Sequence, residues 1–339
     1  MMADVITDSN PINLADFEGL TSSKPVRALI HTIRDYMPVF DQAVIQRGND
    51  GMGDRGKIVT AYPEGQLRSF NEGWDAEKVL GADVRYKACM VRSRSEVDRD
   101  LYNTRPSAER DVWRLRQDEG YMRGLSRTMV RKMFYGDPAA NSRDMLGLAN
   151  VVTPGNDAFK GRIISAGGTT ANKQASIWLV NWDPSDFYLF YPENGSDVGL
   201  SVENKGEQYA FDSDGKRFLA LITEFGWNLG LAAYNPERVV RISNIDTTKL
   251  TSKGTSGANL IDLMTQALEM LPDEQSGRVA FYMNDGVRSV LRRQIVNKDN
   301  VLISQDEVAG RKVLTFGGHP VHKVGVDVLT NTEAVLATA

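Results

Sequence analysis

SAERDVWRLRQDEGYMRGLSRTMVRKMFYGDP, Ser107 to Pro138, is the stretch from which the rest of this chain can be read. Leu115, Met122, Leu125, Met129 and Met133 step by seven, three, four and four, and Arg114, Arg116, Arg123, Arg127 and Arg131 fill positions between them. That spacing predicts one amphipathic helix over Ser107–Phe134, with those five apolar residues as its buried stripe. Gly136, Asp137 and Pro138 stop it. About 28 residues at 1.5 Å each make a rod of about 42 Å, longer than most globular helices. The arginine row reads as a solvated face, or equally as a source of salt bridges between subunits.

Upstream lies a segment that lacks a core of its own. Gly48–Gly56 (GNDGMGDRG) reads as a flexible tip or hinge, Lys57–Tyr62 (KIVTAY) as a strand, and Asp83–Ser93 (DVRYKACMVRS) as a second strand. In the second, Val84, Tyr86, Ala88 and Met90 share one face, while Arg85 and Lys87 take the other, the period-two pattern of a half-exposed strand. A polar excursion carrying Phe70 and Trp74 joins them. An isolated two-stranded ribbon is marginal in water, so this one needs something to lie against, and a neighbouring subunit is the natural candidate.

Before the ribbon the text is polar to Ser23. A short helix is then expected, capped by Ser23, with Pro25 in its first turn and Val26, Leu29, Ile30, Ile33 and Met37 on one face, ending at Pro38. After Leu148 the texture becomes β-rich: Ser176–Asn181, Phe187–Tyr191, Phe218–Phe225 and Val239–Ile245, separated by turn dipeptides such as Asn194-Gly195 and Asp214-Gly215. A helix over Asn259–Leu271, a strand over Arg278–Met283 and a helix to Val296 follow in quick succession, with closing strands at Val313–Phe316 and Val321–Val328. The expected class is α+β, helices packed on sheets.

Composition narrows the function. Hydrophobic residues make up 41% and charged residues 25% of 339, as in a globular protein. Forty basic against 44 acidic side chains leave a net charge of -4, without the basic excess of a dedicated nucleic-acid binder. Cys89 is the only cysteine, so neither an intrachain disulfide nor a cysteine-based zinc site can form. The N-terminal text does not read as a signal sequence, and no apolar run approaches the ~20 residues of a membrane span, so a soluble, unexported protein is expected.

The chemical motifs fail on inspection. Gly51–Lys57 satisfies the first seven positions of a phosphate-binding loop, but Ile58 stands where Ser or Thr must hold magnesium, and a strand follows instead of a helix. His319-Pro-Val-His322 carries two imidazoles with no cysteine near and is read as a structural turn. Asp212-Ser-Asp-Gly215 lacks the remaining ligands of a calcium loop and is read as a hairpin turn. No nucleophile elbow occurs, and no catalytic residue, metal or cofactor is expected.

Several pieces, in order, resemble the major capsid proteins of tailed phages, whose architecture is called the Hong Kong ninety-seven fold. They are the polar arm, the long ribbon, and the long helix ending in MFYGDPAANSRDMLGLAN (Met133–Asn150). RVAFYMNDGVRSVLRR (Arg278–Arg293), the closing LTFGGHPVHKVGVDVL (Leu314–Leu329), and Ala171–Gly206, which is most similar to short-tailed phages akin to epsilon-fifteen, complete the set. The resemblance implies an N-terminal arm (1–47), an extended ribbon (48–94), a peripheral domain with the long "spine" helix (95–147), an axial domain (148–310) and a peripheral strand and tail (311–339). It implies self-assembly into pentamers and hexamers of an icosahedral shell around double-stranded DNA, with weak DNA contacts and with scaffolding, portal or cement proteins as further partners. The protein would be made in the host bacterial cytoplasm and end in the virion. The ribbon would bury Lys57, Tyr62, Leu67, Phe70, Trp74 and Val79 against a neighbour, exposed aromatics of this kind being typical interface anchors. Lys57, Lys78 and Lys87 lie in or near the ribbon, but no cross-link is expected from them. A tail or decoration protein, and more remotely a hydrolase, are the alternatives.

Overall fold

The computed structural model describes residues 13–14, 24–195, 197–251, 257–272, 277–296, 305–308 and 311–337. In chain order the elements are Lys24–Tyr36 (α1), Val39–Gln42 (α2), Ile45–Arg47 (β1), Gly53–Ala61 (β2), Leu80–Lys87 (β3), Cys89–Asp98 (β4), Arg99–Asn103 (α3), Arg110–Tyr135 (α4) and Leu148–Val151 (α5). The second half holds Ile163–Ser165 (β5), Gln174–Trp182 (β6), Phe187–Tyr191 (β7), Leu200–Phe211 (β8), Arg217–Ala233 (β9), Val239–Asp246 (β10), Leu260–Glu269 (α6), Arg278–Asn284 (β11), Asp285–Val296 (α7), Gln305–Val308 (β12), Arg311–Phe316 (β13) and His319–Val324 (β14).

Two sheets carry the fold. One is seven-stranded, ordered β12-β13-β14-β11-β6-β10-β5. β6 is its spine and is buried along all nine residues, which is why its sequence reads as an apolar run and not as an alternation. Ala175, Ile177 and Leu179 face α6 and α7, packing with Met264, Val287 and Leu291. Trp178, Val180 and Trp182 face the other way and join the core that contains α4. Phe134 of α4 meets Trp178 at 6.1 Å and Tyr282 at 6.2 Å between ring centroids. The second sheet has five strands, with the 17-residue β9 pairing β4, β7 and β8, and β1 adding in parallel to β7.

α4 lies on β4 and β9 and is crossed by α1. Met122, Leu125, Met129 and Met133 are buried, together with Val130 and Phe134. Leu115 is not part of that core: it is 58% exposed. The stripe position between Leu115 and Met122 is Asp118, and there the helix stands off β9. Arg114 bridges the gap to Thr223 (2.6 Å), leaving a groove of about 380 Å³ with Leu115 on its edge. At the other end of α4 the chain turns back sharply. The Gly147 N–H donates to Gly136 O at 2.9 Å, and a Cβ on Gly147 would lie 2.4 Å from Gly136 N, so the paired glycines of MFYGDP…MLGLAN permit a backbone contact no side chain would allow.

Other expectations need correcting. The strand expected over Asp83–Ser93 breaks at Ala88: β3 pairs β2 in a separate two-stranded ribbon, while β4 enters the five-stranded sheet, so the ribbon proper ends at Lys87. Gly48–Gly56 is the ribbon's root and not its tip. Strand pairing runs across positions 148 and 311. β4 pairs β9 across the first, and β13 and β14 complete the seven-stranded sheet across the second, because strand pairing is long-range. His319-Pro-Val-His322 lies within β14, parallel to β11, instead of forming a turn, and the last strand ends at Val324. In α1, Ile30, Ile33 and Met37 are buried, whereas Ser23, the Val26 and Leu29 side chains and residues 1–12 lie outside the described residues.

Candidate subunit interface

The ribbon is held firmly at one end. Asp54, on β2, is buried, and its Oδ2 accepts from two phenols, Tyr188 at 2.7 Å and Tyr234 at 2.8 Å, while Oδ1 accepts from the Asn49 N–H at 3.2 Å. Burial, and then the Asp54 acceptor, push both phenols above the ordinary tyrosine range. Tyr86 on β3 donates to Ala233 O at 2.6 Å and meets the Tyr234 ring edge-on at 5.3 Å. Gly56 lies flat on Tyr234; a Cβ there would sit 2.5 Å from the ring. Asn49 clasps Arg55 through both N–H···O bonds at 2.8 and 2.9 Å, which fixes a stretch that glycine content alone would leave loose. Lys87 Nζ reaches Ser142 O at 3.2 Å, tying the far strand to the turn after α4.

Beyond the root the ribbon leaves the body. Tyr62, Leu67, Phe70, Trp74 and Val79 are all exposed, Leu67 and Phe70 fully so, and Lys57 is exposed beside them. The excursion is nevertheless ordered by local polar ties. Glu77 accepts from the Gly65 N–H and from Gln66 Nε2, Glu72 accepts from the Ser69 N–H, and the Arg68 guanidinium sits 4.9 Å from the Trp74 ring centroid. These ties shape a displayed apolar surface instead of burying it. Sequence reasoning did not find two other exposed apolar sites. Tyr209 and Phe211 lie near the β8–β9 turn, and Val112 and Leu115 lie on the N-terminal part of α4. The Asp212–Gly215 segment makes that turn, with Asp212 Oδ1 accepting from the Asp214 and Lys216 N–H groups.

Elsewhere, buried polar side chains tie distant segments together. Glu333 is buried and accepts from Arg241 (2.8 Å), Ser176 (2.5 Å) and Tyr135 (2.5 Å), and Arg241 also donates to Val152 O and lies over Trp178. Asn244 exchanges two 2.8 Å bonds with the backbone of Leu336. Among the described residues no group of three His, Cys, Asp or Glu side chains could hold a metal ion. Cys89 is buried against Met129, and burial pushes its thiol up to about 11, so it has no reactive thiolate near neutral pH.

An elaborate two-sheet body, a helix of 26 residues and a cantilevered ribbon together make an architecture that can be compared. A chain of bacteriophage Epsilon15 is similar at a TM-score of 0.62 and 25% identity, over 88% of this chain and 88% of that one. A chain of the bacteriophage JBD30 capsid is similar at a TM-score of 0.50 and 10% identity, over 86% and 90%, a likeness of fold. No curated protein sequence matches. The family described as major capsid protein GP7 matches residues 22–337, body and ribbon alike, and the tail or decoration alternative gives way to it. The fold is the Hong Kong ninety-seven type, and the chain belongs to the GP7 family of major capsid proteins, the subunits of an icosahedral phage shell.

Proposed function

We propose that the subunit builds its shell through the ribbon, which lies across an adjacent copy and buries Tyr62, Leu67, Phe70, Trp74 and Val79 there. The observation that carries this reading is the contrast within one element: a root locked by Asp54 and Tyr86, and an ordered, apolar, fully displayed outer part. Each large apolar side chain moved from water into a contact contributes roughly 1.5–3 kcal/mol, so a few such anchors per subunit sustain assembly. In this reading the seven-stranded sheet with α6 and α7 forms the axial domain around a pentamer or hexamer axis. The five-stranded sheet with α4 forms the peripheral domain, and residues 1–47 act as an arm. The activity is assembly alone, without catalysis, cofactor or metal. The net charge of -4 suits weak contact with packaged double-stranded DNA, leaving scaffolding, portal and cement proteins as further partners of the same shell. Synthesis in the host bacterial cytoplasm accords with a chain whose single cysteine is buried.

Replacing Phe70 and Trp74 together by Ser tests this. The subunit keeps its circular dichroism spectrum and thermal transition, while shells disappear from electron micrographs and from the void volume in size-exclusion chromatography. A double variant that unfolds would mean that the ribbon packs on its own body. One that assembles like the wild type would mean that the interface lies elsewhere.

A further inference from the structure

We propose that the carboxylate hub at the ribbon root, Asp54 with Tyr188 and Tyr234, is a positioning device that sets the angle at which the ribbon leaves the body and thereby the uniformity of the shell. The proposal rests on the ribbon's being the element that reaches the neighbouring copy. Three features of the hub point this way. It joins partners from distant parts of the chain: Asp54 from β2, Tyr188 from β7, and Tyr234 from the end of β9, with sequence separations of 134 and 180. It sits just before the ribbon leaves the body: Ile58 still joins the core, and Tyr62 to Trp74 beyond it are exposed. Both phenols converge on one oxygen, Oδ2, so the strand is triangulated between two fixed rings, and Gly56 brings the ribbon backbone flat onto one of them.

Geometry makes the root angle matter. From Ile58, which is still buried, to Ala61 the strand alone reaches about 10 Å at 3.4 Å per residue, so a 5° change at the root moves its end by about 0.9 Å. A radial gap of about 0.5–1 Å already forfeits a quarter to a half of a van der Waals contact. A loosened root therefore weakens or misdirects anchors that are themselves unchanged. Hydrogen bonds to a charged acceptor are the strong kind, which suits a joint that must hold an angle and not merely exist.

The test uses Tyr188→Phe/Tyr234→Phe, which deletes both hydroxyls and keeps the rings, with Tyr234→Phe as the milder variant should the double be insoluble. Two readouts are taken. Shell diameters come from electron microscopy. Ribbon orientation in dissociated subunits comes from the distance distribution between spin labels at Glu72→Cys and Asp157→Cys, both exposed positions; buried Cys89 does not compete for label. The expected result is a label distribution at least about twofold broader than in the parent protein, with shells that vary in diameter or fail to close. A hub that only contributes stability would lower the thermal transition and the yield but leave the shells that form uniform and the label distances unchanged. That result, or failure of both variants to fold, overturns the proposal. The interface reading fails separately: if Phe70→Ser/Trp74→Ser assembles normally, the ribbon is not the anchor, whatever the label distances report.

Discussion

His322 lies on β14 with its imidazole stacked on Tyr282, 5.6 Å between centroids at 18°, and Arg288 close enough to repel a second positive charge. Burial first, and Arg288 second, lower its pKa from 6.5 to about 4. Between those two values the unfolded chain binds the proton more readily than the folded one, so stability rises with pH across that window. It is complete above 6.5 and is lost as pH falls through 6.5 towards 4, roughly 3 kcal/mol in all. His322→Phe, which keeps a stacked ring, should remove that slope. Urea midpoints would place the variant higher relative to wild type at pH 4.5 than at pH 7.5, and an equal difference at both values would sink the account. On α4, Leu125 is 2% exposed and Leu115 58%, although both belong to one periodic series. Leu125→Asp should cost about 3–5 kcal/mol by burying an unpaired charge, whereas Leu115→Asp should change the subunit's stability by about 0.5 kcal/mol or less. Chemical denaturation of the two variants side by side checks this. The seven-residue step after Leu115, with charged Asp118 on the inner face, was the sign that the stripe ends there.

The C-terminal segment after β14 acts as a clasp between α4 and the seven-stranded sheet, an element that periodicity cannot announce because it has none. Val328 and Leu329 are buried, Arg127 pairs with Asp327 at 2.8 Å, and the buried Arg241–Glu333 pair fastens the segment to β10 and β6. Arg241→Met should cost about 3–5 kcal/mol, because it leaves the Glu333 carboxylate buried with hydroxyl donors alone. Adding Glu333→Leu should recover part of that loss, since a buried ion pair replaced by apolar groups is often neutral. A calorimetric double-mutant cycle decides it, and additive losses would mean that the two side chains do not act as a pair. Elements with strong local signals were legible in the sequence: α4, β6, β11 and the paired strands of the ribbon. β8 was missed because its middle, Glu203 to Glu207, is polar and breaks register between Asn204 and Gly206. For Gly48–Gly56, composition left tip and hinge both open, because the Asn49, Asp54 and Tyr234 contacts that make it the fixed root are long-range or side-chain mediated.

At the scale of the whole molecule, two kinds of force could hold copies together, and their response to salt separates them. The chain is nearly neutral, with 40 basic and 44 acidic side chains, and many of its ion pairs are exposed, such as Arg123–Glu119 and Lys205–Glu203. Exposed pairs of that kind contribute about 0–1 kcal/mol and are screened by salt. Large apolar groups are displayed as well: Leu67, Phe70 and Tyr62 on the ribbon, Trp74 beside Arg68, and Phe211 and Tyr209 near the β8–β9 turn. A shell held by such groups does not loosen when ions screen charges, and the slight mutual repulsion of copies carrying -4 weakens instead. Assembly should therefore persist, or strengthen, as sodium chloride rises from about 0.05 M to about 1 M, where the Debye length falls to about 3 Å. Light scattering across that series measures it. Dissociation with rising salt would assign the contact to ion pairs, and the arginine row of α4 would then replace the ribbon as the first surface to mutate.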